Sequence, residues 1–409
     1  MSTLKRLGCL LVALGTGAAG AAQAAPAGGL EIRLSQSGYI VAHEVRKPGD
    51  GYNGADGYYD LILHNLAVIN NGRTPVTLDR ISLDLSRHGQ LLERSVVSSS
   101  EVQAAIATYA GYAKLHFPVA LNALFAADTV LPPGITVSGS ATSLAPGTAV
   151  ISTQNFMLAR GLPDRLIVVA QGHSGDQPVI AQASLPVSGR ISTNRYLFPL
   201  EAGTWYVTAL PSVQGHHRFT QATEFAVDIT RVDAKGRWFK AKGRRWTDWY
   251  AYGANVLAAA DGVVVAVRSN SEIDPQIWRP RDGESAEDYQ KRLDAHQLKR
   301  FLTPGADPSE VSGGNYVILK HANGEYTHYA HLAFGSVRVK QGEHVRQGDV
   351  IARVGGTGEA PEVHLHFEVT DSTDTKHYAF HSLPINFMNV SRPKNARPTD
   401  EPGIFMTAN

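Results

Sequence analysis

The chain has 409 residues and is almost neutral, with 38 lysines and arginines against 37 aspartates and glutamates. That balance gives no support for nucleic-acid binding or for a strongly charged membrane face. Its single cysteine, Cys9, lies near the N-terminus, so the rest of the chain has no disulfide or thiolate chemistry, and any metal site there must use His, Asp or Glu.

Residues 1–24 read as a secretory signal peptide. Lys5 and Arg6 precede a short apolar run from Leu7 to Gly20, and Ala22-Gln23-Ala24 fits a small-residue cleavage site. The run is too short for a bilayer span, and Cys9 comes too early for a lipoprotein anchor. The expectation is an exported protein, periplasmic or secreted, with no membrane span.

Residues 30–190 show short strands separated by turn residues. Leu61-Ile62-Leu63 and Leu66 to Ile69 end at Asn70-Asn71-Gly72, and Ile81, Leu83 and Leu85 alternate with Ser82, Asp84 and Ser86. One helix is predicted from Ser98, where Ser98 and Glu101 form a capping box, through Leu115. The expected fold is an N-terminal β-sandwich of immunoglobulin type with one helical excursion. His64, His88, His116 and His173 share no spacing there and read as scattered core or surface residues.

Residues 190–205 read as a linker to a second β-rich domain over 200–392. Strands are expected at Ala258 to Val267, Tyr316 to Lys320, Tyr326 to Leu332 and Val350 to Val354. Residues 270–313 interrupt the series as a charged insertion with a helix over Ser285 to Leu302, read as decoration packed beside the sheet rather than as a lid. Glycines at 355, 356 and 358 are expected to let the backbone approach a substrate.

The densest chemistry lies in VHLHFEV. Val363, Leu365, Phe367 and Val369 alternate with His364, His366 and Glu368, the pattern of a half-buried strand. Residues two apart on a strand share a face, so the imidazoles of His364 and His366 point the same way. One can bind a metal while the other reaches a water on it. His216-His217-Arg218 and Asp228 can converge on the same ion across a loop. In Thr327 to Leu332, alternation puts Tyr329 and His331 on one face and His328 on the other. The remaining histidines read as structural (His321), solvated (His344) or without a partner pattern (His296, His377, His381). Trp246, Trp249 and Tyr252 are candidates for a groove, though aromatics are more often core.

The segments HRFTQATEFAVDI, AAADGVVVAV, GNYVILKHANGEYTHYAHL, VRVKQGEHVRQGDVIARVGGTG and PEVHLHFEV, in this order, resemble the lysostaphin-like and β-lytic zinc metallopeptidases. The resemblance covers Trp205 to Thr370 apart from the insertion. It implies a mostly β protein whose C-terminal domain is an antiparallel β-sheet metallopeptidase of duplicated hybrid motif type, with its site in a groove. It also implies one zinc ion per chain, held by His217, Asp228 and His366, with His331 and His364 as catalytic histidines. The loop between His217 and Asp228 is longer than in the shortest family members, which leaves His216 as the alternative ligand. The implied function is hydrolysis of peptide cross-links in peptidoglycan by a monomer. A peptidase for ordinary proteins and a non-catalytic activator of cell-wall amidases are the alternatives. A biotinyl-type carrier is disfavoured, because no Met-Lys-Met-like turn is present.

Overall fold

The computed structural model describes residues 29–45, 57–114, 121, 124–209, 216–301, 303, 308–373, 380–391 and 404–409. The expected signal segment 1–24 with Cys9, and also His116 and His377, lie outside the described residues. The protein is mostly β. No helix among the described residues is long and apolar enough to cross a membrane. The chain divides into two compact units, with the boundary between Arg190 and Ile191.

The first unit holds two sheets. One contains Leu30–Leu34, Tyr58–Asn70, Thr148–Arg160 and Thr136–Val137 in that order, with His43–Val45 beside Tyr58–Asn70. The other contains Ile40–Val41, Gln177–Ser188, Arg165–Ser174, Val76–Arg87 and Gln90–Val97 in that order, with Ser143–Leu144 beside Val76–Arg87. The two short strands expected before Asn70 are one continuous strand, buried from Asp60 onward. The Asn70-Asn71-Gly72 turn carries the chain from the first sheet to the second rather than closing a hairpin. Helix α1, Ser99–Lys114, starts where the capping box places it. The Ser98 N–H donates to Glu101 Oε2 at 2.9 Å, and the Glu101 N–H donates to Ser98 Oγ at 3.2 Å.

The second unit is built on one nine-stranded sheet. Its strands in chain order are β1 (Gly203–Ala209), β2 (Val227–Thr230), β3 (Gly262–Arg268), β4 (Asn315–Lys320), β5 (Tyr326–Leu332), β6 (His344–Val345), β7 (Leu365–Thr370), β8 (Val390–Ser391) and β9 (Ile404–Ala408). They lie in the order β6-β3-β4-β5-β7-β2-β1-β9-β8, and β7 is the middle strand, flanked by β5 and β2. One face carries Val227, Ile229, Tyr329, Leu365, Phe367 and Val369 into the core. Burial of each such side chain contributes about 1.5–3 kcal/mol. A one-residue slip would exchange that row for His366 and Glu368, so the core fixes the register that the site needs.

Three expectations change. VHLHFEV is not half-buried: every residue of β7 is buried, because the strand is central and covered on both faces. Residues 190–205 are not a linker, since Tyr196, Phe198 and Leu200 insert in alternation into the core of the second unit. The sheet also continues past residue 392, because β9 pairs with β1 along Gly203 to Val207.

The insertion contains the 3-10 turn Pro275–Trp278, helix α2 (Ala286–Phe301) and helix α3 (Pro308–Gly313). Ser285 caps α2, its Oγ accepting from the Asp288 N–H at 3.1 Å.

A fragment running from Ile191 to Asn409 is expected to fold by itself with a single cooperative urea transition. Starting at Tyr196 instead deletes Ser192, whose Oγ donates to Glu325 at 2.5 Å and whose N–H donates to the Pro384 carbonyl at 2.9 Å. That shorter fragment should be less stable by about 1–3 kcal/mol. A disordered 191–409 fragment would show that the unit boundary is not a folding boundary.

Candidate functional site

The site grows from a cross-strand pair. Asp228 on β2 lies directly opposite His366 on β7, and Ala330 on β5 lies opposite His366 from the other side. Directly opposed residues share a face with Cβ atoms about 5 Å apart. The side chains therefore meet: His366 Nδ1 is 3.0 Å from Asp228 Oδ1. Ala330, which has no side chain beyond Cβ, leaves space on the other flank.

His217 reaches the same carboxylate from the 3-10 turn His216–Phe219, with Nε2 2.9 Å from Asp228 Oδ2. Its other ring nitrogen is 3.3 Å from Thr223 Oγ1. Sequence reading missed what holds this loop. Arg218, fully buried, pairs with buried Glu224 and stacks over Phe225, 4.7 Å from the ring centroid. The signal was present in the sequence, since an Arg and a Glu six residues apart bracket the loop that carries the histidine.

His364 sits just before β7, bridged to Gly355. Its Nδ1 is 2.9 Å from the Glu362 carbonyl, and its Nε2 is 3.5 Å from Asp228 Oδ1. A carbonyl only accepts, so Nδ1 carries the proton in the neutral ring, and Nε2 faces the site as an acceptor.

His331 arrives by a different route from the one expected. Strand alternation would send it to the core face with Tyr329. Its φ of 59° instead places it in the left-handed region, a conformation that costs a non-glycine residue roughly 1–3 kcal/mol. That twist turns the ring to the site face, 4.6 Å from the His364 ring and 5.8 Å from the His366 ring, centroid to centroid. His331 Nδ1 donates to the Thr357 carbonyl at 2.8 Å, so Nε2 is again the free acceptor. Burial, with the neighbouring His364 and His366, lowers the His331 pKa well below the usual imidazole range.

His328 does not lie on the opposite face from the site. It pairs across the strands with Glu368, and its Nε2 is 2.9 Å from Thr370 Oγ1. Glu368 itself is a buried carboxyl in the same row, pushed up to about 8 by burial and by Asp228. Its Oε1 is 4.0 Å from His366 Nε2, a nitrogen that is buried without a hydrogen-bond partner among the described residues.

The other histidines divide as follows. His321 is structural, bound at 2.8 Å to both the Asp261 carbonyl and Thr327 Oγ1. His344 is exposed. His381, expected to have no partner, lies 2.9 Å from Asp371. Trp249 is core. Trp246 packs on the glycine loop, where a Cβ at Gly356 would fall 2.5 Å from its ring. A Cβ at Gly358 would fall 2.2 Å from the Ser312 carbonyl oxygen. These two glycines thus accommodate the close packing of the protein's own loop.

Ligand atoms of His217, Asp228 and His366 lie within 4.8 Å of one another, and all three residues are buried. Two imidazole nitrogens converging on one buried carboxylate make a donor set suited to a divalent cation of borderline softness, and no thiolate is needed. His331 and His364 stand beside this set without belonging to it.

Residues 305–378, within the C-terminal unit, match Peptidase family M23. The matched segment contains His331, His364 and His366, while His217 and Asp228 lie before it. Among relatives, the peptidoglycan DD-endopeptidase ShyC of Vibrio cholerae is 32% identical over 114 residues, 25% of this chain and 24% of that protein. Its counterpart ShyA from the same organism is 31% identical over 139 residues, 31% of this chain and 28% of that protein. The DD-carboxypeptidase/endopeptidase Mpg of Neisseria meningitidis is 40% identical over 80 residues, 20% of this chain and 16% of that protein. These matches span under a third of each relative's length.

Gly358→Ala tests the packing of the loop that holds His331. The position has φ +81° as well as the close Ser312 carbonyl. The variant is expected to lose about 1–3 kcal/mol of stability in a denaturant melt. An unchanged midpoint would show that the loop can move away freely.

Proposed function

We propose that the protein is an exported zinc metalloendopeptidase that cuts peptide cross-links of peptidoglycan. The observation that carries this reading is the convergence of His217 and His366 on Asp228, with His331 and His364 alongside. The M23 match and the peptidoglycan endopeptidases among the relatives support the substrate class. The complete set of side chains disfavours a purely activating role.

His217, Asp228 and His366 would hold the ion. A bound zinc with an open fourth position would supply Lewis acidity, acidifying a water and polarising a peptide carbonyl. The chain's own contribution is proton handling. His331 and His364 both keep a proton on Nδ1, committed to a backbone carbonyl, and both present Nε2 as an acceptor. Two acceptors suit the two protons of an attacking water: one imidazole orients it while the other takes the proton released on attack. The protonated imidazole then returns that proton to the leaving amine. The strained backbone at His331 and the carbonyl clamps fix both rings before substrate arrives, so little reorganisation is left to the reaction itself.

His217→Ala, Asp228→Ala and His366→Ala should each lose zinc and activity, whereas His364→Ala should keep zinc and lose at least 100-fold in rate, roughly the lower range for a general acid–base residue. Metal analysis of purified protein checks this, and full zinc in His217→Ala with loss in His216→Ala would transfer that ligand to His216. Purified peptidoglycan and casein, digested side by side, should give new amine and carboxyl ends in the muropeptides only. Cleavage of casein alone would replace the substrate assignment with a general protease.

Acidification should abolish the rate. Protonating His331 at Nε2 removes an acceptor, and burial with the neighbouring His364 and His366 holds its pKa well below the usual imidazole range, so activity is present above that lowered pKa and lost as pH falls through it. A rate that does not fall at any acid pH at which the protein stays folded would exclude His331 as the proton acceptor.

A further inference from the structure

The inserted segment 270–313 grips the loop that orients His331. Gln297 and Arg300 stand three residues apart on α2, so they share a face of the helix. Both reach Glu359. Gln297 Nε2 donates to Glu359 Oε2 at 2.5 Å, and Arg300 Nη1 donates to Glu359 Oε1 at 2.8 Å. Arg300 Nη1 also reaches the Gly358 carbonyl at 3.3 Å. The Glu359 N–H donates to the Ser312 carbonyl of α3 at 2.8 Å. Glu359 is only 4% exposed, so these bonds are made out of water and are worth more than a surface ion pair.

Two residues upstream, Thr357 accepts the His331 Nδ1 proton through its backbone carbonyl. Its Oγ1 donates to the Leu332 carbonyl at 2.7 Å and accepts from the Asn315 N–H at 2.9 Å. One short loop therefore ties His331 on one side and the insertion on the other. His331 has a left-handed backbone, which costs energy, and its ring orientation depends on an acceptor held at the right place. That acceptor belongs to a loop whose next carboxylate is fixed by α2.

We propose that Glu359, held by Gln297 and Arg300, is a positioning residue for His331, which makes the insertion part of the frame of the active site. The inference rests on the reading of His331 as a proton-handling residue. Glu359 touches neither substrate nor reacting atoms. It acts through the Thr357 carbonyl by setting which His331 nitrogen carries the proton and where the other one points.

The test uses the full chain with Glu359→Gln, Arg300→Ala, Arg300→Lys and the Glu359→Gln/Arg300→Ala pair. Glu359→Gln keeps the volume and one hydrogen bond, so it should fold even if Arg300→Ala does not. Three readouts are needed: zinc content, the separate kcat and KM values on a soluble cross-linked muropeptide, and the histidine ring nitrogen signals of the metal-free protein. Glu359→Gln should retain zinc, keep KM within about 2-fold and lose roughly 10- to 100-fold in kcat, the range seen when a supporting hydrogen bond is removed. Arg300→Lys should recover part of the loss of Arg300→Ala, and the double variant should lose less than the product of the single losses, because the two side chains form one contact. In the nitrogen spectrum, the His331 signal should change from a ring protonated at Nδ1 to a mixture of tautomers.

A lower melting temperature with unchanged kcat and an unchanged His331 tautomer would overturn the proposal and leave the clamp as a stabilising contact only. The tautomer readout does not require turnover. A wild-type protein without peptidase activity would therefore defeat the functional reading of the site, while the same spectrum still decides whether Glu359 sets the state of His331.

Discussion

One cross-strand contact, Asp228 against His366, supports the rest of the site. It exists because β2 and β7 pair antiparallel with these two residues in direct opposition. Each strand alternates, Val227 and Ile229 on one, Leu365, Phe367 and Val369 on the other, and those apolar rows are buried on the far face. The hydrophobic core thus sets the register, and the register brings a carboxylate and an imidazole together in a buried place where neither would settle alone. Burying such groups is expensive unless they are paired. The apolar burial beneath the sheet offsets that cost.

Two further groups are then added, one from a loop and one from the irregular end of β5, each with its own fastening. His217 is placed by a short loop closed internally by the Arg218–Glu224 pair and by Thr223. His331 is placed by a departure from strand geometry and by the Thr357 carbonyl. The contrast is physically reasonable. Residues in regular strand geometry inherit their placement from many neighbours, whereas residues in loops or at irregular strand ends need dedicated contacts. The backbone strain at His331 falls at a residue whose side chain faces the site, which is where local strain is most often tolerated.

The insertion follows the same logic. A helix with few apolar residues that merely lay beside the sheet would leave its polar face to water. Here Gln297 and Arg300 are spent on a buried carboxylate in the loop next to β7. Glycines at 356 and 358 permit the close packing of that loop against Trp246 and Ser312. The loop is therefore defined from two sides, by the sheet through Leu332 and Asn315 and by the insertion through Glu359.

Much of this was legible in the sequence. Alternation in VHLHFEV gave that strand and put His364 and His366 on one face, and the Ser98–Glu101 pair gave the start of α1. These are local signals, because a strand's period and a helix cap are set by residues a few positions apart. What the sequence could not yield were features made by distant partners. The burial of β7 on both faces depends on its central place in a nine-stranded sheet. The entry of Tyr196 and Phe198 into the core, and the return of Ile404–Ala408 to pair with β1, join segments roughly two hundred residues apart. Alternation placed His328 opposite Tyr329 correctly but misplaced His331, since it assumes an unbroken strand and the left-handed backbone at His331 departs from it. The sequence by itself determined which residues could do the chemistry. Only the tertiary structure decided which nitrogen of each histidine faces the site, because that depends on backbone carbonyls at Thr357 and Glu362 whose positions no local pattern encodes.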